Sequence, residues 1–118
     1  MTRIDGPFYR VSDPAFELTV VRWKGYDPEA LEEADGHIHL PDGTHYAPTF
    51  MTLRTVSAIM DRWQTSGECL NGEYFWCSDL IIIRNPGLPA IVEVVRHLIA
   101  TGEVHSICSP LEAETPGR

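Results

Sequence analysis

The chain has 118 residues, 43% of them hydrophobic and 22% charged, and its 9 basic and 17 acidic side chains give a formal net charge of −8. That length makes one domain able to bury roughly two thirds of its unfolded surface, and the composition fits neither an intrinsically disordered chain nor a membrane-embedded one. The basic residues are scattered from Arg3 to Arg118, which argues against a nucleic-acid binder because phosphate neutralisation needs clustered Lys and Arg.

Residues 1–15 carry Gly6, Pro7, Asp13 and Pro14 and read as an irregular lead-in with a short extended piece at Phe8 to Val11. From Phe16 to Lys24 apolar positions alternate with polar ones, with a slip at Val21, which predicts a half-buried strand ended by Gly25. Asp27 then caps a short, exposed helical turn: Pro28 suits the first helical position, and Glu29, Glu32 and Glu33 favour the positive end of the helix dipole.

Gly36 opens a strand over His37-Ile38-His39-Leu40. Pro41-Asp42-Gly43 has the sequence of a three-residue hairpin loop, a type I turn closed by a left-handed glycine, with a return strand at Thr44 to Ala47. Pro48 stops that strand. Thr52 is placed to N-cap a helix of about 14 residues with the stripe Leu53, Val56, Ile59, Met60 and Trp63, and Gly67 terminates it.

Asn71-Gly72 predicts a hairpin leading into Glu73 to Cys77, and the run Leu80-Ile81-Ile82-Ile83 predicts a central strand covered on both faces or at an interface. After the turn Asn85-Pro86-Gly87, Pro89 begins a second helix whose stripe is Ile91, Val94, Val95, Leu98 and Ile99, ended by Gly102. Val104 to Cys108 reads as a last strand, reached from Ile81 by a right-handed crossover through that helix, and residues 110–118 as a frayed tail. The fold class that follows is α+β: a single domain over residues 1–118, with a mainly antiparallel sheet of five or six strands and two main helices packed on one face.

Cys69, Cys77 and Cys108 are odd in number and lack a C-x-x-C pair, so reduced thiols and a cytoplasmic location are expected, without a disulfide framework. No apolar stretch follows Arg3 and no run of about 18 apolar residues occurs, so neither classical secretion nor a membrane partner is expected. No P-loop, G-x-G-x-x-G, G-x-S-x-G or H-E-x-x-H pattern is present, so no motif decides between an enzyme and a binding protein. On a strand, Cys108 and His105 would face opposite ways, which leaves the thiol without a base.

The densest chemical cluster is His37, His39 and His45, three of the five histidines within nine residues. A three-residue loop pairs Leu40 with Thr44, sets His39 opposite His45 and keeps His37 on their face at spacing two. Three imidazoles then converge as in a zinc site with an open fourth position, with Glu32, Glu33 or Glu73 as a base near the metal. A four-residue loop pairs Leu40 with His45 instead and splits the set across both faces. The competing picture is a solvated polar hairpin face with Ile38 and Leu40 turned inward.

Two other features suggest partners. Asp27, Glu29, Glu32 and Glu33 form an acidic segment suited to a basic protein partner, and Tyr74 and Trp76 lie in an aromatic strip suited to homodimerisation. The composition thus favours a small acidic cytoplasmic binding module of the immunity or inhibitor kind with no cofactor. The alternative is a zinc enzyme or metal-binding protein using the three histidines.

Overall fold

The structure is a computed structural model, described over residues 2–23, 25 and 27–111. Among the described residues seven strands form one sheet: β1 Thr2–Asp5, β2 Phe8–Asp13, β3 Phe16–Val21, β4 Glu33–His39, β5 His45–Tyr46, β6 Thr49–Thr52 and β7 Leu80–Ile83. Their order is β1-β2-β3-β4-β6-β7, with β5 paired to β4 beside that path, and every pairing is antiparallel except β6 with β7. The helices are α1 Leu53–Ser66, a single turn α2 Glu68–Gly72, α3 Leu88–Thr101 and the short α4 Val104–Ile107. The α+β class, the largely antiparallel sheet and the two main helices are those the sequence predicts.

Period-two alternation sorts the sheet into two faces. Val11, Leu18, Ile38 and Tyr46 follow one another across β2, β3, β4 and β5 in register, and all are buried. Against this face α3 lays Leu88, Ile91, Val95 and Leu98, and Phe50, Ile81 and Ile83 extend the same core. Each such side chain contributes about 1.5–3 kcal/mol by leaving water. No residue of α1 belongs to this core cluster, and Ile59 is its one buried position. The opposite face keeps the polar half of the alternation.

Several local expectations are corrected. The lead-in is a β1–β2 hairpin in which every β1 residue is exposed, so its pairing rests on backbone bonds and on polar side-chain bonds such as Arg10 to Asp5, which leave no apolar pattern to read. The strand from Phe16 ends at Val21, short of Lys24, which itself lies outside the described residues. Pro48 is buried and leads straight into β6, a strand too short to show a period. Asn71-Gly72 makes no hairpin: Cys69, Leu70 and Asn71 all have left-handed backbones, with φ of 49°, 56° and 59°, and residues 73–77 form no strand. Gly72 closes that turn so tightly against α1 that a Cβ on it would meet the Met60 carbonyl oxygen at 2.1 Å.

The Leu80–Ile83 run is an edge strand, not a central one: Ile81 and Ile83 enter the core while Ile82 stays 49% exposed. Val104–Ile107 is helical, with the Ile107 N–H donating to the Glu103 carbonyl and the Cys108 N–H to the Val104 carbonyl, and it is too short to show a helical period in sequence. The parallel pair is therefore β6 with β7, joined through α1, and not a pair joined through α3. Of the expected frayed tail, 110–118, only Pro110 and Leu111 fall among the described residues.

The start of α1 is as expected. Thr52 Oγ1 accepts from the Thr55 backbone N–H at 3.3 Å and donates to the Glu32 carboxylate at 2.9 Å, so one buried hydroxyl joins the helix to the end of the acidic segment. Thr52→Ala is expected to cost about 1–2 kcal/mol, read as a lower urea midpoint at unchanged slope. An unchanged midpoint would show that the cap contributes nothing.

Candidate metal centre

Pro41-Asp42-Gly43 sets the geometry of the histidines. The Leu40 N–H donates to the Thr44 carbonyl at 2.8 Å, the Gly43 N–H to the Leu40 carbonyl at 3.0 Å and the Thr44 N–H to the Asp42 carboxylate at 2.9 Å. Gly43 sits at φ 92°, a left-handed position that glycine takes without a Cβ penalty. This three-residue loop pairs Ile38 with Tyr46 and His39 with His45, the register on which convergence of the histidines depends.

The three rings meet on the polar face of the sheet. Their centroids lie 4.4 Å apart for His37–His39, 5.0 Å for His37–His45 and 5.5 Å for His39–His45, with planes within 17° of parallel. His37 Nε2 and His45 Nδ1 share a hydrogen bond of 2.8 Å. One nitrogen from each ring can be chosen so that all three lie within 4.8 Å of one another. Zn–N bonds of about 2.0–2.1 Å in a tetrahedron put ligand nitrogens about 3.4 Å apart, so the rings must turn out of their near-parallel stack to bring this set around one ion.

The two-residue strand β5 is pinned on both sides. Its His45 carbonyl accepts from the Leu111 N–H at 2.9 Å, and the buried Tyr46 hydroxyl hydrogen-bonds His105 Nδ1 on α4. Burial in turn raises the Tyr46 phenol above its ordinary range and keeps it neutral. His105 is thus tied to Tyr46, while burial pushes the Cys108 thiol up to about 11 and makes it a poor nucleophile.

The electrostatics favour the neutral form of His37 and His39. Burial, followed by the neighbouring His39 and His45, holds His37 below the ordinary histidine range. His39, although exposed, is lowered by partial desolvation, then by His45 and the Arg10 guanidinium, with Glu17 opposing. Neutral imidazole is the form that binds a metal.

The acids predicted as a base lie elsewhere. Glu32 is bonded to Thr52 and, at 3.4 Å, to Arg54. Glu33 is four residues before His37 on β4, about 13 Å along the strand. Glu73 follows α2, outside any strand paired with β4 or β5. The carboxylate across from His39 in the sheet is Glu17 on β3, with Thr19 likewise across from His37. Sequence reading missed Glu17 because its face is legible from alternation, whereas its strand partner is not.

The remaining candidates separate. Asp27, Glu32 and Glu33 line a cavity of about 650 Å³ together with Trp23 and Asp35, while Glu29 borders a different, more apolar cavity of about 720 Å³ against α3. None of the three histidines lines either cavity; His39 is exposed, and His37 and His45 are half-buried. Tyr74 and Trp76 are both exposed, on irregular chain where a strand was predicted, and Phe75 between them stacks on Trp63 at 5.5 Å. Among the described residues no helix is long and apolar enough to cross a membrane. No protein-family model matches this chain, and comparison with curated proteins and with solved structures gives no match.

Proposed function

We propose that this protein binds one divalent transition-metal ion, zinc in the first instance, on His37, His39 and His45, leaving a coordination position open to solvent. The observation that carries the reading is the convergence of one nitrogen from each ring to within 4.8 Å. The donor set fits zinc, since three neutral imidazoles with a free fourth position are a known catalytic-type arrangement that lowers the pKa of bound water to about 7. The exposure of His39 supports exchangeable metal binding over chemistry in an enclosed pocket. Native mass spectrometry of the untagged protein with zinc alone is expected to show one zinc per chain, lost in His39→Ala. A bare mass in excess zinc would overturn the reading, and the same spectrum reports any dimer formed through Tyr74 and Trp76.

The cavity lined by Asp27, Glu32, Glu33 and Asp35 beside Trp23 favours a second reading, recognition of a basic partner. Rim charges act mainly on association rate. Neutralising Asp27, Glu32 and Glu33 should therefore slow association with a basic protein about tenfold at low salt. An on-rate that stays the same would remove this reading.

A further inference from the structure

The polar face of the sheet continues beyond the histidines as a row of opposite charges. Glu17 faces His39 across the β3–β4 pair, and Arg10, on the next strand, donates to Glu17 at 2.6 Å through one guanidinium nitrogen and to Asp5 at 2.7 Å through another. Ser12 donates to the other Glu17 oxygen at 3.4 Å, and Arg3 lies 3.9 Å from the carboxylate. Opposed side chains in an antiparallel pair stand with Cβ atoms about 4.5–5.5 Å apart. The Glu17 carboxylate therefore borders the ligand cluster without belonging to the convergent set of three nitrogens.

Resting on the zinc reading above, we infer that Glu17 is a positioning residue of the metal site: its carboxylate, across from His39, supplies the negative partner that favours a bound cation, and Arg10 restrains it. Metal-binding histidines commonly rely on a neighbouring carboxylate that orients the ring and raises its basicity. Both oxygens of Glu17 retain a lone pair beyond the bonds to Arg10 and Ser12. The bond to Arg10 also draws the carboxylate toward β2 and sets a positive charge near the metal position. The two members of one ion pair thus act on a cation at the site with opposite signs.

The opposite signs separate this role from a bracing one. A pair that merely braced the sheet would lose the same contact whichever member was removed, and metal affinity would move in one direction for both variants. The test is competition of zinc against a chromophoric chelator for wild type, Glu17→Gln and Arg10→Met, each with circular dichroism to confirm the fold. We expect Glu17→Gln to bind zinc about tenfold more weakly and Arg10→Met to bind it several-fold more tightly. Weakening in both, or no change in either, would overturn the role of Glu17 while leaving the three-histidine site standing. Absence of zinc binding by the wild type would instead remove the site and this role together. Cobalt as a second probe adds a spectroscopic readout, with the d–d bands of the wild type shifting in Glu17→Gln while one equivalent still binds.

Discussion

Zinc at a hundredfold excess over its Kd is expected to raise the stability of this protein by about 2.7 kcal/mol, a rise in Tm on the order of 10 °C, and His45→Ala to remove that rise entirely. The loss should be complete because each ring supplies one of three nitrogens, and the two that remain cannot hold the ion against water. His45 is the most informative position, since it alone comes from β5 while the other two share β4. The effect also has a definite pH sign. Desolvation holds His37 and His39 below the ordinary value, so near pH 7.5 they are neutral and bind metal without first releasing protons. The zinc-induced rise is therefore present above the ordinary histidine range near 6.5 and is lost as pH falls through the lowered folded values. The metal-free protein follows the same direction, because in that window the unfolded chain binds more protons than the folded one, and stability declines with falling pH. Thermal melts at pH 7.5 and pH 5.5, with and without zinc, check both statements. A zinc-dependent rise that persists in His45→Ala would move the site elsewhere.

What the sequence made legible was local, and what it concealed depended on pairing. The loop Pro41-Asp42-Gly43 prescribes its own turn, so the register of His39 against His45 follows from three residues and is found as expected. The caps Thr52, Gly67 and Gly102 likewise mark the ends of α1 and α3, because capping is chemistry between near neighbours. Asn71-Gly72 misled for a complementary reason. Its left-handed preference is real, but it is spent on a turn that lays Gly72 against the Met60 carbonyl, a tertiary contact that no local rule contains. Val104–Ile107 is too short for a period of 3.6 to differ from one of 2, and only its packing into the core decides for helix. Glu17 escaped notice because which strand lies beside which is a property of the whole sheet.

Gly36 and Phe50 are expected to show strong coupling of a sign that identifies its cause. Phe50 is fully buried, and its Cε2 lies where a Cβ on Gly36 would approach to 2.8 Å, so the ring fills the space a side chain on β4 would take. Phe50→Ala should cost about 3–5 kcal/mol from lost burial and the cavity left behind. Gly36→Ala alone should cost about 1–3 kcal/mol, because a packed aromatic ring must give way to a methyl group. In the Phe50→Ala background the ring is gone and the added methyl partly fills the hole, while alanine also restricts the unfolded chain more than glycine does. There Gly36→Ala should be neutral or stabilising, which makes the two substitutions non-additive by about 1–3 kcal/mol. Urea melts of the four proteins measure the cycle, with a common slope as the check that the unfolded states match. Additive costs would mean that β4 moves away from β6 to accept the methyl. Because Gly36 directly precedes His37, such a movement would also carry a metal ligand with it. Zinc affinity measured across the same four proteins therefore reports whether the core under β4 fixes the site above it: a rigid strand predicts that Gly36→Ala in the Phe50→Ala background leaves affinity unchanged.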